Sequence, residues 1–157
     1  MTFSKLLVLP FFFLALPGAT WAADTTPTPT ESVKADDFAM GKKALETKNW
    51  MQAAASFKKV VADNPKNADA YNLLGFASRG LGKFDEAFAA YDKALSLDPK
   101  HKGALEYSGM GYLQTNQKAK AEAQLAKLKA ICTSCSETTS LAKAVAEFKP
   151  GVATSTY

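Results

Sequence analysis

Apolar side chains along this sequence recur at helical spacing, in stripes separated by short polar breaks. Tyr71, Leu74, Gly75 and Ser78 fall at i, i+3, i+4 and i+7, one face of a helix. Ala87, Phe88, Tyr91, Ala94 and Leu95 mark the same kind of face in the helix that follows. Gly80-Leu81-Gly82 breaks this pair, and Asp98-Pro99 ends it, because the residue before proline is pushed out of the helical region. A last stripe of Leu141, Ala144, Val145 and Phe148 predicts an amphipathic helix over 136–149. Ser136 or Thr138 is its expected N-cap, and Pro150-Gly151 its stop.

The stripes repeat with a period of 34 residues. Gly41, Gly75 and Gly109 coincide, as do Ala53, Ala87 and Ala121, and Lys59, Lys93 and Lys127. Phe57, Tyr91 and Leu125 share one large apolar position, and Pro65 matches Pro99. Glycine inside a helix costs roughly 1 kcal/mol relative to alanine, so its recurrence requires a compensating close approach. The phase-locked alanines of the paired helix are the expected neighbours.

The second unit, NADAYNLLGFASRGLGKFDEAFAAYDKALSLDPKH, resembles the tetratricopeptide repeat. Tyr71, Leu74, Gly75, Gly82, Ala87, Tyr91, Ala94 and Pro99 stand where its consensus expects such residues. The first unit keeps Met40, Gly41, Ala53, Phe57 and Pro65 but has Asp37 in place of the usual aromatic. The third keeps Leu105, Gly109, Tyr112 and Ala121 and lacks the closing proline. The resemblance implies an all-α superhelix of three helix-turn-helix repeats, at 34–67, 68–101 and 102–135. An open stack exposes the apolar side of its last repeat, so the helix at 136–149 is the expected cap, followed by a tail at 150–157.

Ahead of the repeats, MTFSKLLVLPFFFLALPGATWAA has the layout of a cleavable secretory signal. Lys5 precedes an apolar run that is too short to span a bilayer, and small residues follow. Cleavage is expected after Ala22, with Ala23 as the other site. Residues 23–33 then form a Thr/Pro-rich spacer, which resists helix and favours extended backbone. The expected location is the periplasm or outside the cell, with no stable membrane insertion after cleavage.

Composition narrows the function. Of 157 residues, 47% are hydrophobic, enough for a core. The formal charge is only +4, the charges are interspersed, and Arg79 is the sole arginine. Arginine dominates phosphate and base readout, so nucleic acid is not an expected partner. One histidine excludes a multi-histidine metal centre and leaves little room for a hydrolytic triad, and no Gly-rich phosphate loop appears. The expectation is a non-enzyme with no cofactor and no metal. Asp85-Glu86 lies in the first turn of a helix, where it complements the dipole.

Cys132-Thr133-Ser134-Cys135 holds the reactive side chains, at the turn where earlier repeats carry Pro65 and Pro99. A structural disulfide between Cys132 and Cys135 is the expectation in an oxidising compartment. It would add roughly 2 kcal/mol by chain entropy. A thiol-redox or metal-handling role for the pair is the alternative; covalent haem is excluded because Ser136 stands where histidine is required.

In the family it resembles, the first helix of each pair lines a concave groove that binds extended peptides. That register implies a wall of Phe38, Lys42 and Leu45, then Asn72, Phe76 and Arg79, then Glu106, Met110 and Leu113. The family's clamp for C-terminal carboxylates is not reproduced: Phe38, Leu73 and Gly103 occupy positions that need polar or basic residues. The resulting expectation is an extracytoplasmic adaptor whose partner is another protein or peptide.

Overall fold

A computed structural model describes residues 29–151, with side chains from residue 36. The expected signal, most of the spacer and the end of the tail lie outside these residues. Seven helices follow one another: α1 (Pro29–Glu46), α2 (Trp50–Asp63), α3 (Ala68–Gly80), α4 (Phe84–Leu97), α5 (Lys102–Gln114), α6 (Lys118–Ile131) and α7 (Ser136–Glu147). The all-helical architecture is as expected, and the period of 34 governs it closely. α2, α4 and α6 start at 50, 84 and 118, while α3, α5 and α7 start at 68, 102 and 136. The cap α7 therefore stands where the first helix of a fourth repeat would begin.

α1 departs from the expectation, opening at Pro29 inside the segment read as spacer. Proline suits the first helical position, where its missing N–H has no partner to lose and its φ is already helical. α7 also starts differently, with Cys135 at its N-cap in place of Ser136 or Thr138.

Each hairpin turn closes through one residue in the left-handed region: Lys48 (φ 55°), Gly82 (φ 73°) and Asn116 (φ 60°). These too are 34 apart. In each turn the next residue's N–H reaches back over the helix end, Asn49 to Ala44 at 2.8 Å, Lys83 to Ser78 at 2.9 Å and Gln117 to Tyr112 at 2.7 Å. This is the Schellman termination, for which glycine and then asparagine are suited. Lysine carries the Cβ penalty without compensation, so Lys48→Gly is expected to stabilise the protein by about 1 kcal/mol. An unchanged or lowered urea midpoint would contradict that geometry.

The recurrent glycines do permit close approach, but to rings rather than to the alanines. A Cβ on Gly75 would lie 2.6 Å from the Tyr91 ring, and one on Gly41 2.8 Å from Phe57. In the third repeat the occupant is Leu141 of α7, 2.6 Å from a Cβ on Gly109. The alanines are buried beside them, with Ala53 and Ala121 fully covered. The core is a continuous strip of two clusters, one around Phe57 and Leu74 and one around Leu105, Leu128 and Leu141.

Contacts between helices give the curvature. The odd-numbered helices approach backbone to backbone in succession, α1 with α3, α3 with α5 and α5 with α7, whereas the backbones of α2, α4 and α6 stay farther apart. The odd helices thus form the tighter, inner layer, and the even helices splay outward.

Candidate binding surface on the inner helices

Columns of residues spaced by 34 run across the inner layer, and the structure separates groove from core among them. Phe38 packs edge-on to Phe57 at 5.7 Å and belongs with Leu45 to the first core cluster. Met110 and Leu113 are buried in the second cluster, against the α7 side of the stack. Met110 and Leu113 thus face the core, whereas Phe38 and Leu45 are half-buried at its edge. Lys42 is exposed.

Phe76 sits half-buried at the middle of an aromatic ridge. Its ring meets Trp50 at 5.6 Å in a T-shaped contact and Tyr107 at 4.7 Å. Trp50 starts α2 and lies across α3, where Gly80 makes room for its indole. Trp50 and Tyr107 were not among the expected wall residues. Tyr107 shares the repeat phase of Leu73 and Trp50 that of Phe84, a signal that marks a place in the repeat but not which side of the stack the ring reaches. Arg79 lies over the Phe76 ring at 5.2 Å and donates to Gln114 Oε1 at 2.9 Å. The guanidinium is thereby fixed against an aromatic face, and the Arg79 side chain is buried, at 6% exposure.

Asn72 and Glu106 occupy one phase, both buried. Gly103 leaves space for the Asn72 amide, and Asn72 Oδ1 has no protein partner. Burial pushes the Glu106 carboxyl above the ordinary carboxylate range; Ser140 and the charge of Arg79 oppose this, and Glu137 adds to it. The inner surface therefore offers stacking surface, a fixed cation and buried hydrogen-bond acceptors.

On the outer side a cleft of about 370 Å³ opens where the α2 and α4 backbones stay apart. Tyr71, Leu74, Ala89 and Ala90 line it, and the Lys58–Glu86 ion pair (3.5 Å) stands beside it. His101 caps α5, its Nδ1 accepting from Ala104 N–H at 3.1 Å while Nε2 pairs with Asp69 at 3.0 Å. Among the described residues no cluster of three or more His, Cys, Asp or Glu is placed to hold a metal ion. No helix among them is long and apolar enough to cross a membrane.

Cys132 and Cys135 are free thiols in the structure, unlike the expected disulfide. Their turn is closed by another means: the Thr138 hydroxyl donates to the Cys132 carbonyl at 2.6 Å.

Comparison with known proteins agrees with this geometry. The heat shock protein STI1 of Saccharomyces cerevisiae is 38% identical over 73 residues, 46% of this chain and 12% of that protein. The chain thus spans about an eighth of that relative's length. The TPR domain of Arabidopsis OM64 superposes with a TM-score of 0.68 at 19% identity, covering 73% of this chain and 95% of that one. The first TPR domain of Spaghetti (RPAP3), solved bound to the HSP90 peptide SRMEEVD, gives 0.67 at 16% identity over 73% and 91%. The tetratricopeptide repeat family model matches residues 38–102 and 77–133, most of the described helices. With three hairpins in one register and a cap in the same phase, the chain belongs to the tetratricopeptide repeat family.

Proposed function

We propose that this protein is a non-catalytic adaptor that binds an extended segment of another protein on its inner helical layer. The observation that carries this reading is the Trp50–Phe76–Tyr107 ridge with Arg79 stacked on it. Aromatic surface beside fixed positive charge suits a peptide with an apolar anchor and a nearby acid. Lys42 adds a second, exposed cation on the same face. Support comes from the Spaghetti domain, whose structure holds an HSP90 peptide. A cytosolic chaperone tail is a poor candidate for this chain, because Phe38, Leu73 and Gly103 replace the polar residues of the carboxylate clamp. The N-terminal sequence pattern supports an extracytoplasmic setting, periplasmic or secreted.

Crosslinking and pull-down from the extracytoplasmic fraction test this, with Phe76→Ala and Arg79→Glu compared with the parent. Each variant is expected to weaken capture of the partner by about tenfold or more, with helical content retained. Capture of every partner by both variants at parental yield would remove the inner layer from consideration.

A further inference from the structure

The turn leading into each inner helix is built alike in the first two repeats, and in the third its two acceptor positions carry sulfur. In the first turn, Asn64 Oδ1 accepts from Lys66 N–H at 3.2 Å, and Asn67 Oδ1 accepts from Ala70 N–H at 2.9 Å. In the second, Asp98 Oδ1 accepts from Lys100 N–H at 2.9 Å, and His101 Nδ1 accepts from Ala104 N–H. One period later the same two positions are Cys132 and Cys135, and α7 begins in register behind them. Cys135 is thus the N-cap residue of α7, although its side chain makes no cap hydrogen bond there, and the N-terminus of α7 favours negative charge at this position. A neutral thiol accepts such bonds weakly, whereas a thiolate accepts them well.

The local contacts distinguish the two sulfurs. Cys135 Sγ lies 3.3 Å from Thr138 Oγ1 and 3.4 Å from the Cys132 carbonyl. The Cys132 thiol beside it, then contacts with Thr138, hold the Cys135 thiol below the ordinary thiol range, against desolvation and the Glu137 charge. Both cysteines are partly accessible, and Thr133, Ser134 and Ser136 around them are exposed. A surface disulfide of another protein can therefore reach Cys135.

We propose that Cys132 and Cys135 form a thiol–disulfide exchange site, with Cys135 as the attacking thiolate, Cys132 as the resolving thiol and a partner protein's disulfide as substrate. Cys135 Sγ attacks one sulfur of that disulfide, forming a mixed disulfide as the partner's S–S bond breaks. The departing partner sulfur leaves as a thiolate and takes up a proton. Cys132 then loses its proton and attacks Cys135 Sγ, closing the Cys132–Cys135 bond and releasing the second partner thiolate. Two electrons pass to the partner disulfide, and the pair ends oxidised. This site is separate from the aromatic ridge and does not depend on it.

The test uses the reduced full chain with insulin as the disulfide-bearing probe. In wild type without other reductant, about one insulin disulfide is expected to open per protein, with Cys132–Cys135 forming in step. Cys132→Ser should accumulate a mixed disulfide with insulin through Cys135, and Cys135→Ser should not. Independently of any variant, iodoacetamide labelling of wild type at pH 7 should modify Cys135 about tenfold or more faster than Cys132. Equal labelling of the two thiols, no trapped species from Cys132→Ser, or a purified disulfide that resists millimolar dithiothreitol would each overturn the proposal.

Discussion

Tyr91→Ala is expected to destabilise the folded chain by about 3–5 kcal/mol, a large share of the total stability of a domain this size. Tyr91 is fully buried, and its ring occupies the space that a side chain on Gly75 would need. Truncation empties the contact between α3 and α4 in the middle repeat. Urea unfolding followed by circular dichroism reads the loss directly. Tyr91→Phe keeps the ring and should cost only about 1 kcal/mol. The pairing with glycine gives a sharper check: Gly75→Ala should cost about 1–3 kcal/mol in the parent and much less beside Tyr91→Leu. Additive costs in that double-mutant cycle would show that ring and glycine do not meet.

Leu141→Ala is expected to cost about 2–5 kcal/mol, distributed differently along the stack. Leu141 is fully buried, lies over Gly109 and joins α7 to the second core cluster. In a repeat array each unit contacts only its neighbours, so the loss should fall on α5, α6 and α7. Amide hydrogen exchange should accelerate in α7 first while α3 and α4 retain their protection. Uniform acceleration from α1 to α7 would mean that the stack unfolds as one unit and the cap has no local role.

The register of this fold was readable because each repeat is punctuated by residues with a fixed physical meaning. Gly82, Asp98-Pro99 and the Gly75–Ala87 phase place the second hairpin, and its period places the others. What escaped reading lay where ordinary residues fill special positions. Lys48 and Asn116 adopt the left-handed turn without glycine's signature. Pro29 looked like spacer because proline both opens helices and excludes them. The groove was the least legible part. A repeat phase states which side of a helix a residue faces, but not whether a later helix covers it. α7 completes the layer that buries Met110 and Leu113, and Trp50 reaches the ridge from an outer helix. For the cysteines, the sequence located the turn correctly, while the capping role of their two positions emerged only from the hydrogen bonds of the equivalent turns.

The succession of touching inner helices and separated outer ones has a mechanical consequence. A layered beam bonded along one face and slit along the other bends most easily about the bonded face. Here the looser face is the cleft between α2 and α4, spanned by the exposed Lys58–Glu86 ion pair, and the bonded face runs from α1 to α7. Flexing the stack opens or shuts that cleft while leaving the inner contacts in place. A load that straightens the inner face therefore narrows the cleft beside Lys58 and Glu86, linking the two sides of the protein through the bending of the stack.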